Sequence, residues 1–238
     1  MKHLALLPLL FAYLISGCGR QTSLAVSIAP KAFGTQIVEQ SGGKQATGVG
    51  ARLPEPVVVQ VNGTDGSAVP GALVLFQGDG AIFTPAQALT DENGQASTIV
   101  QLGSIHGPYV IRAQTPKQGG GVVDLVLRGI ALGYQEKVGK QVSEKYCAMC
   151  HDPESTTERV SNYENLAPPP PHRLSDGTVL NAISDADLYM LIADGGPALG
   201  KSPQSPAYRK TLTPGEINAV VAYMRAIADP PYSSPPAK

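Results

Sequence analysis

The stretch QEKVGKQVSEKYCAMCH, Gln135 to His151, separates two parts of the chain that differ in character. Gln135 to Tyr146 has the pattern of a helix, and two of the three cysteines in the chain follow directly at its end. Before this stretch the sequence is rich in β-branched residues and glycine turns, and after it come further helical segments. The stretch therefore predicts an all-β domain followed by an all-α domain, and 238 residues suffice for two cores.

Residues 25–132 favour short strands. Tyr109, Ile111 and Ala113 alternate with Arg112 and Gln114, which is the period-two pattern of a strand with one buried face. Turn dipeptides such as Asn93-Gly94 separate runs of this kind. Short strands at regular intervals with glycine-rich turns predict an antiparallel β-sandwich.

The segment DGSAVPGALVLFQ, followed by LTDENGQASTIVQLGSIHGPYVIRAQ, resembles the bacterial Ig-like domains of the invasin and intimin type. The resemblance covers residues 25–132, and the turns at Pro70-Gly71 and Asp91 to Gly94 fall where that family places them. It implies an Ig-like sandwich that serves as a spacer or a docking surface, since such folds are used in several roles. No catalytic set of side chains stands out in this part of the sequence.

The first 17 residues, MKHLALLPLLFAYLISG, predict an export signal. Lys2 precedes an apolar run from Leu4 to Ile15, which is too short to cross a bilayer. The ending ISGC resembles the lipobox of bacterial lipoproteins, in which the cysteine becomes the lipidated first residue. It implies a lipoprotein signal peptide over 1–17, lipidation of Cys18 and a linker over 18–24. The alternative is an ordinary signal peptide that leaves Cys18 as a spare thiol.

The lipobox implies an exported protein that is lipid-anchored at the bacterial cell envelope. It would lie at the outer membrane or the periplasmic face, facing the periplasm or the exterior. The 18 basic residues nearly balance the 19 acidic ones. Because no basic stripe stands out, nucleic acid is not expected as a partner.

Three kinds of site are compatible with CAMCH, Cys147 to His151. A zinc site would need a second pair of ligands, and no further cysteine is free once Cys18 is lipidated. A thioredoxin-like dithiol is expected after a strand, whereas this motif ends a helix. In a c-type haem attachment, Cys147 and Cys150 form thioethers to the haem and His151 binds the iron.

The segments GKQVSEKYCAMCHD, GGPALGKSPQSPAY and LTPGEINAVVAYMRAI together resemble class I cytochrome c domains across residues 134–229. The resemblance implies an all-α cytochrome c fold with one covalent haem c. It also implies a close crossing of the first and last helices at Gly139 and Tyr223. In that family a proline carbonyl often accepts a hydrogen bond from the ligand histidine, which points to the run Pro168 to Pro171. The segment 230–238 is predicted to be a disordered tail.

Helix start signals support the later helices. Ser184 with Asp187 three residues on predicts the start of one helix. Thr213-Pro214 with Glu216 has the pattern of a capping box with proline at the first helical position.

Class I cytochromes usually bind the far side of the iron with a methionine. When the family pattern is anchored on Leu212-Thr213, serine occupies that position, at Ser205. His172 and Met190 are candidate replacements. The alternative for His172 is a solvated loop residue, and the alternative for Met190 is a residue of the helical core. The sixth ligand therefore stays open between these two residues and an open or weakly ligated iron.

Together the resemblances imply a membrane-tethered monohaem c-type cytochrome that carries electrons in the cell envelope. Its expected partners are redox proteins of the envelope and, through the lipid, the membrane. It is not expected to be an enzyme, with only weak peroxidase-like activity left open. The alternative is a haem protein that binds or senses a small ligand at an open sixth iron position, and Ser205 is its direct support.

Overall fold

The computed structural model describes residues 29–152 and 171–233. The predicted signal peptide, the lipidation site Cys18 and the linker over 18–24 lie outside these residues. Within the described part of the chain, no helix is long and apolar enough to cross a membrane.

The amino-terminal domain consists of two packed β-sheets. In the part of the chain that the structure describes, the strands are β1 Gln36–Ser41, β2 Ala46–Gly48, β3 Val57–Asn62, β4 Leu73–Gln77, β5 Ile82–Thr84, β6 Gln87–Leu89, β7 Gln95–Gln101, β8 Gly107–Pro116 and β9 Val122–Leu132. One sheet consists of β1, β3, β7 and β5, and the other consists of β2, β9, β8, β4 and β6, in these orders. All the pairs are antiparallel except β2 with β9, which is parallel.

The sandwich core is built from alternate residues of facing strands. Val57, Val59 and Val61 of β3 are fully buried, and Ile111 and Ala113 of β8 face them from the other sheet. Burying one such aliphatic side chain contributes about 1.5 to 3 kcal/mol relative to leaving it exposed. The alternation predicted for β8 is thus confirmed.

The carboxy-terminal domain is helical. Its helices are α1 Tyr134–Tyr146, α2 Gly177–Leu180, α3 Asp185–Asp194 and α4 Pro214–Ile227, with a 3-10 turn at Gly196–Leu199. The prediction of a β-sandwich followed by a helical region is confirmed.

Both predicted helix starts carry the expected caps. The Ser184 hydroxyl accepts a hydrogen bond from the Asp187 backbone N–H at 3.1 Å. At the start of α4 the Thr213 hydroxyl accepts from the Glu216 N–H at 3.2 Å, and the Thr213 N–H donates to the Glu216 carboxylate at 2.8 Å. Such a capping box satisfies two backbone donors that the helix itself leaves unpaired.

An apolar cluster joins the sandwich to the helical domain. Its buried members are Ala46, Ile130 and Leu132 from the sandwich and Tyr223 and Ile227 from α4. Strand β9 ends at Leu132, and α1 begins two residues later, so the chain enters the helical domain directly from this cluster. We call these five residues the interdomain cluster.

Polar contacts surround the interdomain cluster. The Lys44 ammonium lies 2.8 Å from the Asp229 carboxylate. Arg128 donates to the Ala228 carbonyl at 3.1 Å and lies 4.0 Å from the same carboxylate. Two strands and the end of α4 are therefore linked by both apolar and charged contacts.

The chain continues to make contacts after Asp229. The Pro230 carbonyl accepts a hydrogen bond from the Asn181 side chain at 2.9 Å, and the Arg225 guanidinium lies 4.0 Å from the centre of the Tyr232 ring. The start of the segment predicted as a disordered tail is therefore packed against the helical domain. Residues 234–238 lie outside the described part of the chain.

Candidate haem attachment site

The CAMCH motif forms tight turns at the end of α1. The Cys147 N–H donates to the Ser143 carbonyl at 2.8 Å, which continues the helical pattern by one residue. The N–H groups of Cys150 and His151 both donate to the Cys147 carbonyl, at 3.0 and 2.9 Å. Two free thiols and an imidazole thus project from one compact piece of backbone.

The imidazole of His151 is held by a backbone carbonyl. Its Nδ1 lies 2.5 Å from the carbonyl oxygen of His172. Because a carbonyl only accepts, Nδ1 must carry the proton, and Nε2 keeps its lone pair for a metal. Burial lowers the pKa of His151, which favours this neutral form.

The acceptor for His151 was expected among Pro168 to Pro171. Pro168 to Pro170 lie outside the described residues. Within the part of the chain that the structure describes, the carbonyl of His172, directly after the proline run, takes this role. The expected type of interaction is present, at a neighbouring position.

The contacts of His172 differ from those expected of a sixth iron ligand. Its backbone carbonyl contacts Nδ1 of His151, whereas Nε2, on the opposite side of that ring, is the nitrogen that would bind iron. Its own ring lies 3.4 Å from the Asp176 carboxylate, which caps α2 by accepting from the Thr178 N–H. The His172 backbone therefore lies on the Nδ1 side of His151, opposite the nitrogen that would bind iron, and His172 stays an untested candidate for the sixth ligand.

The other methionines of the domain differ in burial. Met224 is buried in the helical core, and Met149 is largely exposed within the attachment motif. Met190 on α3 keeps 38% of its surface exposed, so it does not act as a fully buried core residue. It stays a predicted candidate.

The loop that carries Ser205 is attached to the end of α3 by backbone hydrogen bonds. The Ser205 carbonyl accepts from the Gly196 N–H at 3.1 Å, and the Tyr208 N–H donates to the Ile192 carbonyl at 3.0 Å. The Tyr208 hydroxyl donates to the Tyr146 carbonyl at 2.8 Å, and the two rings meet edge to face at 5.9 Å. Tyr208 thus brings the Ser205 loop to the end of α1, next to the attachment motif.

One ion pair beside the motif was not predicted from the sequence. The Asp152 side chain is completely buried, and its carboxylate accepts from Arg173 Nε at 3.2 Å. A carboxylate directly after the ligand histidine is visible in the sequence. Its pairing with a residue beyond the proline-rich segment depends on how the two segments fold together.

A cleft of about 290 Å³ lies between the domains next to His151. Gln45 and Glu55 line it from the sandwich, and Lys140, His151 and Leu174 line it from the helical domain. The sandwich therefore borders the site beside His151, and no pattern in the sequence predicts this contact.

Cys147, Cys150 and His151 have the chemistry that a covalently attached haem requires. Both thiols are free for thioether formation, and the His172 carbonyl engages His151 Nδ1, which leaves Nε2 for iron. Burial raises the pKa of Cys147 to about 11, whereas the attacking thiol of a redox dithiol has a lowered pKa. Within the described residues no cluster of three His, Cys, Asp or Glu side chains could hold a metal ion by itself.

Helix α1 ends in the CAMCH turn, and α4, the last helix of the domain, crosses α1 at Gly139. Residues 135–224 match the family model described as cytochrome C oxidase, cbb3-type, subunit III. This match covers the helical part of the chain, and it implies a covalently bound haem c there.

Comparison with solved structures found similarities in the range of 10 to 19% identity. The D00-D0 domain of intimin is 18% identical with a TM-score of 0.31, over 43% of this chain and 50% of that one. The D0-D1 domain of intimin is 19% identical with a TM-score of 0.32, over 42% and 49%. The PapD-like domain 7 of human CEP192 is 12% identical with a TM-score of 0.29, over 47% and 95%.

The chain thus spans about half the length of the two intimin fragments. A search of curated proteins found no match.

Proposed function

We propose that this protein is a membrane-tethered monohaem c-type cytochrome that carries electrons in the bacterial cell envelope. The observation that carries the proposal is the hydrogen bond from His151 Nδ1 to the His172 carbonyl, on a CxxCH turn inside a c-type cytochrome domain. This arrangement leaves one nitrogen of a neutral, oriented imidazole for iron.

Each residue of the site has a defined task in this proposal. Cys147 and Cys150 would hold the haem through thioethers, and His151 would bind the iron through Nε2. The His172 carbonyl orients the ring and strengthens its donation to the metal. The bound haem supplies one-electron redox chemistry, which suits an electron carrier rather than an enzyme.

The tether is part of the proposal through Cys18. Lipidation there would keep the protein at a membrane surface, since each buried methylene of an acyl chain contributes about 0.8 kcal/mol. The sandwich would then set the distance and orientation of the haem domain. Its packing on α4 through the interdomain cluster supports this role, because a loosely linked spacer would leave the orientation free.

The proposal is tested by producing the full chain in a host that attaches haem c. We expect a mass increase of one haem that survives denaturation, and reversible reduction and oxidation at a physiological potential. Cys147→Ser and Cys150→Ser should each lose one thioether, and His151→Ala should lose the proximal ligand.

His106→Ala, in a turn of the sandwich, is the matched control and should keep the haem and its spectrum. Cys18→Ser should release the protein from membranes without changing the haem. A protein without covalent haem, or with haem that does not cycle, would contradict the proposed function.

A further inference from the structure

Two consecutive residues on each side of the site are linked in register. The His151 ring forms a hydrogen bond with the backbone carbonyl of His172. One residue further along each segment, the Asp152 carboxylate accepts a hydrogen bond from the Arg173 side chain. The segments that enter and leave the proline-rich region are thus joined twice within two residues. We propose that Asp152 and Arg173 are positioning residues that hold the His172 carbonyl against His151 Nδ1 and so tune the haem iron.

Burial makes the second link difficult to break. The Asp152 side chain has no exposed surface, whereas Arg173 keeps 33% of its side chain exposed. Separating a buried carboxylate from a cationic partner is unfavourable, because part of the compensation of its charge is lost. Arg173 is therefore held at Asp152, and the His172 carbonyl, one peptide away, is held with it.

The position of this carbonyl acts on the iron through the imidazole. A hydrogen bond from Nδ1–H makes the ring a better electron donor, and better donation favours ferric over ferrous iron. If the carbonyl moves away, the ring donates less and the potential of the haem rises. The inference rests on the proposed function, because it requires iron at His151 Nε2.

A charge effect alone predicts a different pattern. Removing the Asp152 anion should raise the potential, because an anion near the haem favours the ferric form. Removing the Arg173 cation should lower it for the opposite reason. Variants that keep the net charge therefore separate positioning from charge.

The experiment uses the full haem-loaded chain with two charge-conserving variants, Arg173→Lys and the double variant Asp152→Asn with Arg173→Gln. The midpoint potential is measured by redox titration. The exchange rate of the His151 Nδ1 proton is measured by NMR in the ferrous form. Arg112→Lys, in the Arg112 to Asp124 ion pair of the sandwich, is the matched control.

We expect a higher potential and about tenfold faster Nδ1 proton exchange in both variants, with neither change in the control. Unchanged potential and exchange in both would overturn the inference. So would single variants Asp152→Asn and Arg173→Gln that shift the potential in opposite directions while the exchange rate stays the same.

If the double variant does not fold, Arg173→Lys decides the question with the same two measurements. Failure of the proposed function has a separate signature, since the unmodified chain would then carry no histidine-ligated haem at all.

Discussion

Gly139 of α1 lies directly against Tyr223 of α4. A methyl group at position 139 would come within 2.8 Å of the Tyr223 Cβ and 1.9 Å of the Ala219 carbonyl oxygen. The two helices can approach this closely only because position 139 has no side chain. The same tyrosine belongs to the interdomain cluster, so this crossing also supports the contact with the sandwich.

Gly139→Ala should destabilise the protein, because the methyl group meets backbone that is held in a helix. We expect a loss of about 1 to 3 kcal/mol in the free energy of unfolding, measured with denaturant. Gly215→Ala is the control, since a methyl group there would lie 3.9 Å from its nearest neighbour, the Thr213 hydroxyl. An equal loss in both variants would mean that the crossing is not responsible.

His172→Ala should leave the ligation of the iron unchanged. The atom that contacts His151 is the backbone carbonyl of residue 172, which the substitution retains. We expect the ferrous spectrum and the response to carbon monoxide to match those of the unmodified protein. Met190→Leu tests the other predicted candidate in the same way, and a change confined to His172→Ala would show that the His172 side chain binds the iron.

Ser205→Met should introduce the sixth ligand that the cytochrome pattern leads one to expect. The loop is attached through the Ser205 carbonyl and through Tyr208, so the side chain can change without releasing it. A thioether ligand raises the haem potential and closes the iron to small molecules. We expect a higher midpoint potential and slower carbon monoxide binding.

Ser205→Leu provides the control for this gain, because leucine has similar bulk and no sulfur. If both substitutions gave the same potential and the same carbon monoxide rate, the loop would not reach the iron.

The two domains should unfold as a coupled unit. Ile130 and Ile227 belong to the interdomain cluster and are each 2% exposed. Either change to alanine should cost about 2 to 5 kcal/mol, and the double variant should cost less than the sum of the two. Denaturant unfolding followed at the haem and by far-UV circular dichroism measures these energies.

Leu188→Ala serves as the reference for this cycle, because Leu188 lies in the helical core outside the interdomain cluster. Its cost should add to that of Ile130→Ala. Full additivity for Ile130 and Ile227 as well would show that the domains are energetically independent.

The interface should weaken in acid. A hydrogen bond from Lys44, together with the charges of Lys44 and Arg128, holds the pKa of Asp229 below its usual value. A depressed carboxyl pKa contributes stability above the unfolded value of about 3.9, and this stability is lost as the pH falls through the folded value. Because Asp229 is 42% exposed, solvent screening keeps the contribution below about 1 kcal/mol.

Unfolding free energies measured between neutral pH and pH 3 test this. Asp229→Asn should remove this small acid-dependent part, and Lys44→Gln should remove most of it, because the Arg128 charge remains. If both variants kept the acid dependence of the unmodified protein, another carboxyl group would be responsible.

Much of the fold follows from patterns that neighbouring residues carry. The alternation around Ile111 reflects the geometry of a single strand, and the caps at Ser184 and Thr213 depend on residues within one helical turn. The spacing of Cys147, Cys150 and His151 is local in the same sense. Even Gly139 could be singled out, because a glycine inside a helix costs stability unless packing requires it.

The sequence by itself therefore determined the two domain types and the helix starts, and it supplied the prediction that Cys147, Cys150 and His151 hold a haem. Only the tertiary structure decided that the His172 carbonyl faces His151, that Asp152 is buried against Arg173, and that the sandwich packs on Tyr223. These contacts join segments that are distant along the chain. Which residues become partners depends on the surfaces that come together when both cores are buried. The periodicity within a single segment carries no information about those partners.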